Sequence, residues 1–77
     1  MKELIETIVK ELVDKPDEVK VELLESERTI IYELSVGDGD LGKVIGKKGR
    51  TAQALRTIIS AISAKAGGKR AIMEIVE

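Results

Sequence analysis

Four consecutive residues, Gly46-Lys47-Lys48-Gly49, carry the clearest chemical signal in the chain. Glycine at both ends lets a ligand backbone approach without meeting a Cβ. The two lysines between them supply mobile point charges. A helix is predicted from Arg50, and the free amide groups at its start, with the positive end of its dipole, suit a phosphate. Lys43, Arg50 and Arg56 extend the same charge, giving five bases between positions 43 and 56 with no acid among them. A plain turn between two helices accounts for the glycines alone. Phosphate binding accounts for the lysines and arginines as well.

Other chemistries are excluded by absence or by context. The 77 residues include no Cys and no His, which removes disulfides, thiol nucleophiles, thiolate metal sites and the usual general base near neutral pH. No pocket-forming motif gathers the carboxylates and lysines, so the chain is expected not to be an enzyme and to need no cofactor or metal. Gly37-x-Gly39-x-x-Gly42 matches a dinucleotide-binding fingerprint in letters only. Asp38 and Asp40 would repel a pyrophosphate, and the following helix is interrupted within two turns. A phosphate-binding P-loop fails too, because three residues rather than four separate Gly42 from Gly46 and Lys48 stands where Ser or Thr is needed.

Composition bounds the rest. Hydrophobic residues make up 43% and charged residues 35%, as expected for a compact folded domain. The net charge of −1 conceals an asymmetry: residues 1–40 carry −7 and residues 41–77 carry +6. Screening limits charge interactions to about 8 Å at physiological salt, so the local sign matters more than the total to a polyanion. No apolar run reaches the ~18 residues of a membrane span. Acids in Met1-Lys2-Glu3-Leu4-Ile5-Glu6 are unlike a secretory signal. A cytoplasmic location without membrane association is expected.

The elements that must position the basic loop follow from periodicity. Leu4, Ile5, Ile8, Val9, Leu12 and Val13 recur in pairs four apart and predict an amphipathic helix that ends before Pro16. Alternation predicts strands over 18–25, with Val19, Val21 and Leu23 on one face, and over 29–36, with Ile30, Tyr32, Leu34 and Val36. Ser26-Glu27 turns between them, and Ile31 falls on the opposite face. Asp40 is expected to cap a short helix through Leu41 and Ile45. A longer helix over 50–66 buries Ala52, Leu55, Ile59, Ile62 and Ala66, and Gly67-Gly68 stops it. A last strand covers 71–76. The order α-β-β-α-α-β predicts one α+β domain over residues 1–77, with a three-stranded sheet packed against three helices. Tyr32, the only aromatic residue, belongs to the core.

The run from Asp40 to Arg50, Asp-Leu-Gly-Lys-Val-Ile-Gly-Lys-Lys-Gly-Arg, resembles the KH signature, whose I-G-x-x-G loop clamps about four nucleotides of an RNA backbone. The element order is similar to the type II, or prokaryotic, KH topology, and the likeness extends along the whole chain to the small bacterial KhpA-like proteins. This resemblance implies a protein that binds single-stranded RNA, acting as an RNA chaperone or post-transcriptional regulator. Gly46, Lys47, Lys48 and Gly49 would contact phosphates. Gly42, Val44, Ile45, Ala54 and Leu55 would wall or floor an apolar groove for bases; for Val44, Ile45 and Leu55 core packing is an equal expectation. Lys43, Arg50 and Arg56 would flank the groove. The scarcity of aromatic residues argues against modes that stack bases on rings. The resemblance also implies self-association and pairing with a larger KhpB-like KH protein, with links to cell elongation and division. Ile31 and the first helix are candidates for the homodimer interface. A protein-interaction module and a ribosome-assembly factor are the alternative functions.

Overall fold

The first apolar pairs form α1 (Lys2–Leu12), which buries Ile5 and Val9 and leaves the extended Val13 as its last cap. Pro16, at the first position of a 3-10 turn over Pro16–Glu18, then redirects the chain. The computed structural model describes residues 1–76. Beyond the turn come β1 (Lys20–Glu25), β2 (Thr29–Ser35), α2 (Leu41–Ile45), a second 3-10 turn over Lys47–Gly49, α3 (Arg50–Ala66) and β3 (Arg70–Ile75). The result is α+β, with a three-stranded mixed sheet and three helices in the order α-β-β-α-α-β.

Strand β2 lies at the centre of the sheet, antiparallel to β1 and parallel to β3. The register sets Tyr32 opposite Leu23 and Met73, and Leu34 opposite Val21 and Ile75. These rows face the helices. The core they make with Ile5, Val9, Val44, Leu55, Ile59 and Ala71 is continuous, and Tyr32 is part of it. The other face is open. There Leu24, Ile31 and Ile72 form one cross-strand row, and Glu22, Glu33 and Glu74 form the next.

Several boundaries and faces differ from the periodicity. β1 starts at Lys20 rather than 18, because the proline-initiated turn takes up Pro16–Glu18. β2 stops at Ser35, and β3 runs one residue earlier than expected, since Arg70 N–H already donates to the Arg28 carbonyl. Ile62 and Ala66 are exposed, not buried. No element fills the space between Met1 and the last turns of α3, which leaves a cavity of about 300 Å³ against Ile30 and Tyr32. Leu23 points to the helix side of β1 yet is 44% exposed, because β1 is an edge strand. α1 turns Ile5 and Val9 onto the sheet and leaves Leu4 and Leu12 exposed at the surface.

Leu34 is fully buried at the middle of the central strand, whereas Leu24 is half exposed on the open face. Leu34→Ala is expected to cost about 3 kcal/mol and Leu24→Ala less than about 1 kcal/mol in urea unfolding. Equal losses would mean that the open face is covered in solution.

Candidate nucleic-acid interface

The basic loop is held by two constraints, one at each end of α2. At the C-terminal end, Gly46 N–H donates to the Gly42 carbonyl at 2.9 Å and closes the last turn. The chain then reverses through left-handed backbone at Gly46 (φ 77°), Lys48 (φ 57°) and Gly49 (φ 74°). Gly49 N–H donates back to the Gly46 carbonyl at 3.1 Å. A Cβ at Gly46 would lie 2.2 Å from Thr51 Oγ1 and 2.9 Å from the Thr51 backbone nitrogen, so only glycine fits. Lys48 is the one non-glycine residue with positive φ among the described residues, a conformation that costs about 1 kcal/mol.

At the other end sits Asp40, 2% exposed and the only buried charged side chain among the described residues. It does not cap α2 with its side chain as expected. Its carboxylate instead accepts the backbone N–H groups of Asp14 at 3.2 Å and Lys15 at 2.9 Å, while its carbonyl accepts Lys43 N–H. Long-range bonding of the carboxylate outcompeted the local cap because the turn after α1 presents two free donors there. Lys15 Nζ reinforces the clasp by donating to the Asp38 carbonyl at 3.0 Å. Gly37 lets the two loops close, since a Cβ there would press on the Lys15 and Glu18 side chains at 3.0 Å. The start of α2 is thereby fastened to the end of α1.

This clasp also sorts the cations. Lys43 Nζ pairs with Asp14 at 3.1 Å and approaches Asp40 at 3.8 Å, so it is engaged within the protein. Lys47, Lys48 and Arg50 are exposed and meet no carboxylate among the described residues. The amide N–H groups of Lys47 and Lys48 donate to no backbone carbonyl. Charged side chains and free amides therefore point from one short turn, an arrangement that can take phosphate oxygens.

Beside the turn lies a groove of about 260 Å³ lined by Ile45, Gly49, Ala52, Arg56 and Ile75. Arg56 Nε donates to the Met73 carbonyl at 3.4 Å and so crosses from α3 to the free edge of β3. Of the residues expected to wall or floor such a groove, Ile45 lines it, and so do Gly49, expected at a phosphate, and Arg56, expected at its flank. Gly42 is exposed, with open space where a Cβ would stand. Val44 and Leu55 are core residues. Ala54 is exposed on the far side of α3, about 200° around the helix from Arg56. Ala52 and Ile75 escaped the sequence reading because both fit a buried stripe; the helical spacing of Gly49, Ala52 and Arg56 was the available signal. No group of His, Cys, Asp or Glu among the described residues is placed to hold a metal.

An α-β-β-α-α-β chain with a mixed sheet and a glycine-flanked basic turn between its last two helices has the architecture of a type II KH domain. The family model described as "KhpA/KhpB, KH domain" matches residues 2–75. A relative from Aquifex aeolicus, "RNA-binding protein KhpA", is 52% identical over all of this chain and 96% of its own length. Another of that name from Clostridium acetobutylicum is 54% identical over 99% of this chain and its own full length, and one from Borreliella burgdorferi is 51% identical over 97% of this chain and 90% of its own. No solved structure gives a significant match. The chain belongs to the KhpA/KhpB KH-domain family, a non-enzymatic, RNA-binding kind of domain.

Gly46→Ala is expected to destabilise the fold by about 2 kcal/mol or more, because strain at positive φ adds to the clash with Thr51. Gly42→Ala, inside α2 with nothing to meet, should gain about 0.5–1 kcal/mol. Urea midpoints of the two variants measure the contrast, and a tolerated Gly46→Ala would contradict the turn geometry.

Proposed function

We propose that this chain binds single-stranded RNA, with the Gly46-Lys47-Lys48-Gly49 turn clamping the phosphate backbone and the adjoining groove receiving bases. One observation carries this: Lys47, Lys48 and Arg50, which meet no carboxylate among the described residues, share their turn with unpaired amides at the mouth of a groove. Gly46 and Gly49 hold the turn open, Ile45 and Ala52 give the groove apolar walls, and Arg56 flanks it. Lys43 holds α2 in place through Asp14 and Asp40. Val44 and Leu55 act from beneath, as core.

Recognition by a few phosphates and a shallow groove suits modest sequence preference, as expected of an RNA chaperone or post-transcriptional regulator in the cytoplasm. No helix among the described residues is long and apolar enough to cross a membrane. A second function, contact with a protein partner, is favoured by Ile58 and Ile62 on one flank of α3, which are 45% and 41% exposed. That surface would serve a second copy or a KhpB-like KH protein, and it lies apart from the basic turn. RNA and a partner could be held together.

Replacing Lys47 and Lys48 together by Asp is expected to weaken RNA binding more than tenfold without lowering the melting temperature, since both side chains are exposed. For the unaltered protein, neutralising about three phosphates gives a slope of log K against log salt of roughly −2. Filter binding across a salt series measures both, and retained affinity in the double variant would refute the clamp.

A further inference from the structure

Four cations stand at the basic turn, Lys43, Lys47, Lys48 and Arg50, and one of them is treated differently. Lys43 lies one turn of α2 before Gly46, about 5–6 Å away, within reach of a lysine side chain. Its ammonium is nevertheless turned back toward the end of α1, 3.1 Å from the Asp14 carboxylate. The other three meet no carboxylate among the described residues.

Asp14 takes part in this clasp twice, and the two parts are separable. Its backbone N–H donates to Asp40, a bond that any residue except proline supplies. Its carboxylate meets only Lys43 among the described residues, and the side chain is 75% exposed. Two amide bonds to Asp40 already fasten the loops, and an exposed ion pair adds little to stability. Stability therefore does not account for the acid at this position.

We infer that the Asp14 carboxylate restrains RNA binding by holding Lys43 away from the phosphates. The inference rests on the clamp proposed above. A fixed acid competes here with the ligand for one cation. Lys43 faces Asp14 directly and Asp40 at 3.8 Å, and two carboxylates held in place outbid one phosphate of a mobile strand. Without the Asp14 charge only Asp40 remains. Both of its oxygens already accept amides, so Lys43 is released to the strand. Affinity is thereby held below what four cations would give, as release of RNA requires.

Asp14→Asn removes the charge while keeping the shape and the backbone donor. Fluorescence anisotropy with an end-labelled oligouridine of eight nucleotides compares it with Asp17→Asn. That control removes the same charge from the next turn of chain, where Asp17 makes no ion pair among the described residues. Asp14→Asn is expected to tighten binding about fivefold and to steepen the salt slope by about 0.7, as one more cation reaches the strand. Asp17→Asn should stay within about twofold of the unaltered protein, because screening weakens a charge that touches no cation. Lys43→Gln completes a double-mutant cycle: it should cost less than about twofold alone and undo the whole gain of Asp14→Asn. Unchanged affinity in Asp14→Asn, an equal gain in Asp17→Asn, or an equal cost of Lys43→Gln in both backgrounds overturns the inference. Failure of the clamp shows separately, as undiminished binding when Lys47 and Lys48 are both Asp. Asp14, Asp17 and Lys43 are all exposed, so the variants keep the fold, and melting curves check this.

Discussion

A side chain cannot exist at Gly46, and much of the molecule follows from that. The left-handed turn at this glycine brings Thr51 to where a Cβ would stand, which fixes the angle at which α2 gives way to α3. That angle lets Val44 from one helix and Leu55 from the next enter the same core over β2. It also sets the Lys47 and Lys48 side chains and their unpaired amides in one place. Packing and ligand binding thus share one constraint.

Asp40 supplies the second fixed point. A buried carboxylate is costly unless its hydrogen-bonding capacity is met. Here the Asp14 and Lys15 amides meet it, the Lys43 ammonium adds an opposite charge 3.8 Å away, and no buried side-chain polar atom among the described residues lacks a partner. The acidic first half of the chain therefore has a role beyond solubility. It engages Lys43 and leaves the next three cations without an ion-pair partner among the described residues. A net charge of −1 coexists with a locally basic turn because the acids are either committed to this clasp or carried elsewhere, as in the Glu22, Glu33 and Glu74 row on the open sheet face.

Most of the architecture was legible in the sequence because it is written in periodicity and punctuation. Paired apolar residues marked α1, alternation marked β1 and β2, and Gly67-Gly68 marked the end of α3. The errors came where tertiary contacts decide. Asp40 has a capping residue's identity and position, yet two amides from 25 and 26 residues away took its side chain. Ile62 fits the helical stripe of Ile59 but lies beyond the cover that α1 provides. The KH resemblance implied a groove position for Ala54, while helical rotation carries it to the side of α3 away from Arg56.

Mapping backbone amide resonances while a short single-stranded RNA is added tests the central claim most directly. Each amide reports its own surroundings, so the spectrum separates the basic turn from the open sheet face and from the Ile58–Ile62 flank of α3. The account predicts the largest shifts at Gly46 through Thr51, with smaller ones at Ala52, Arg56 and Ile75. Shifts confined to Leu24, Ile31 and Ile72, or to Ile58 and Ile62, would contradict it.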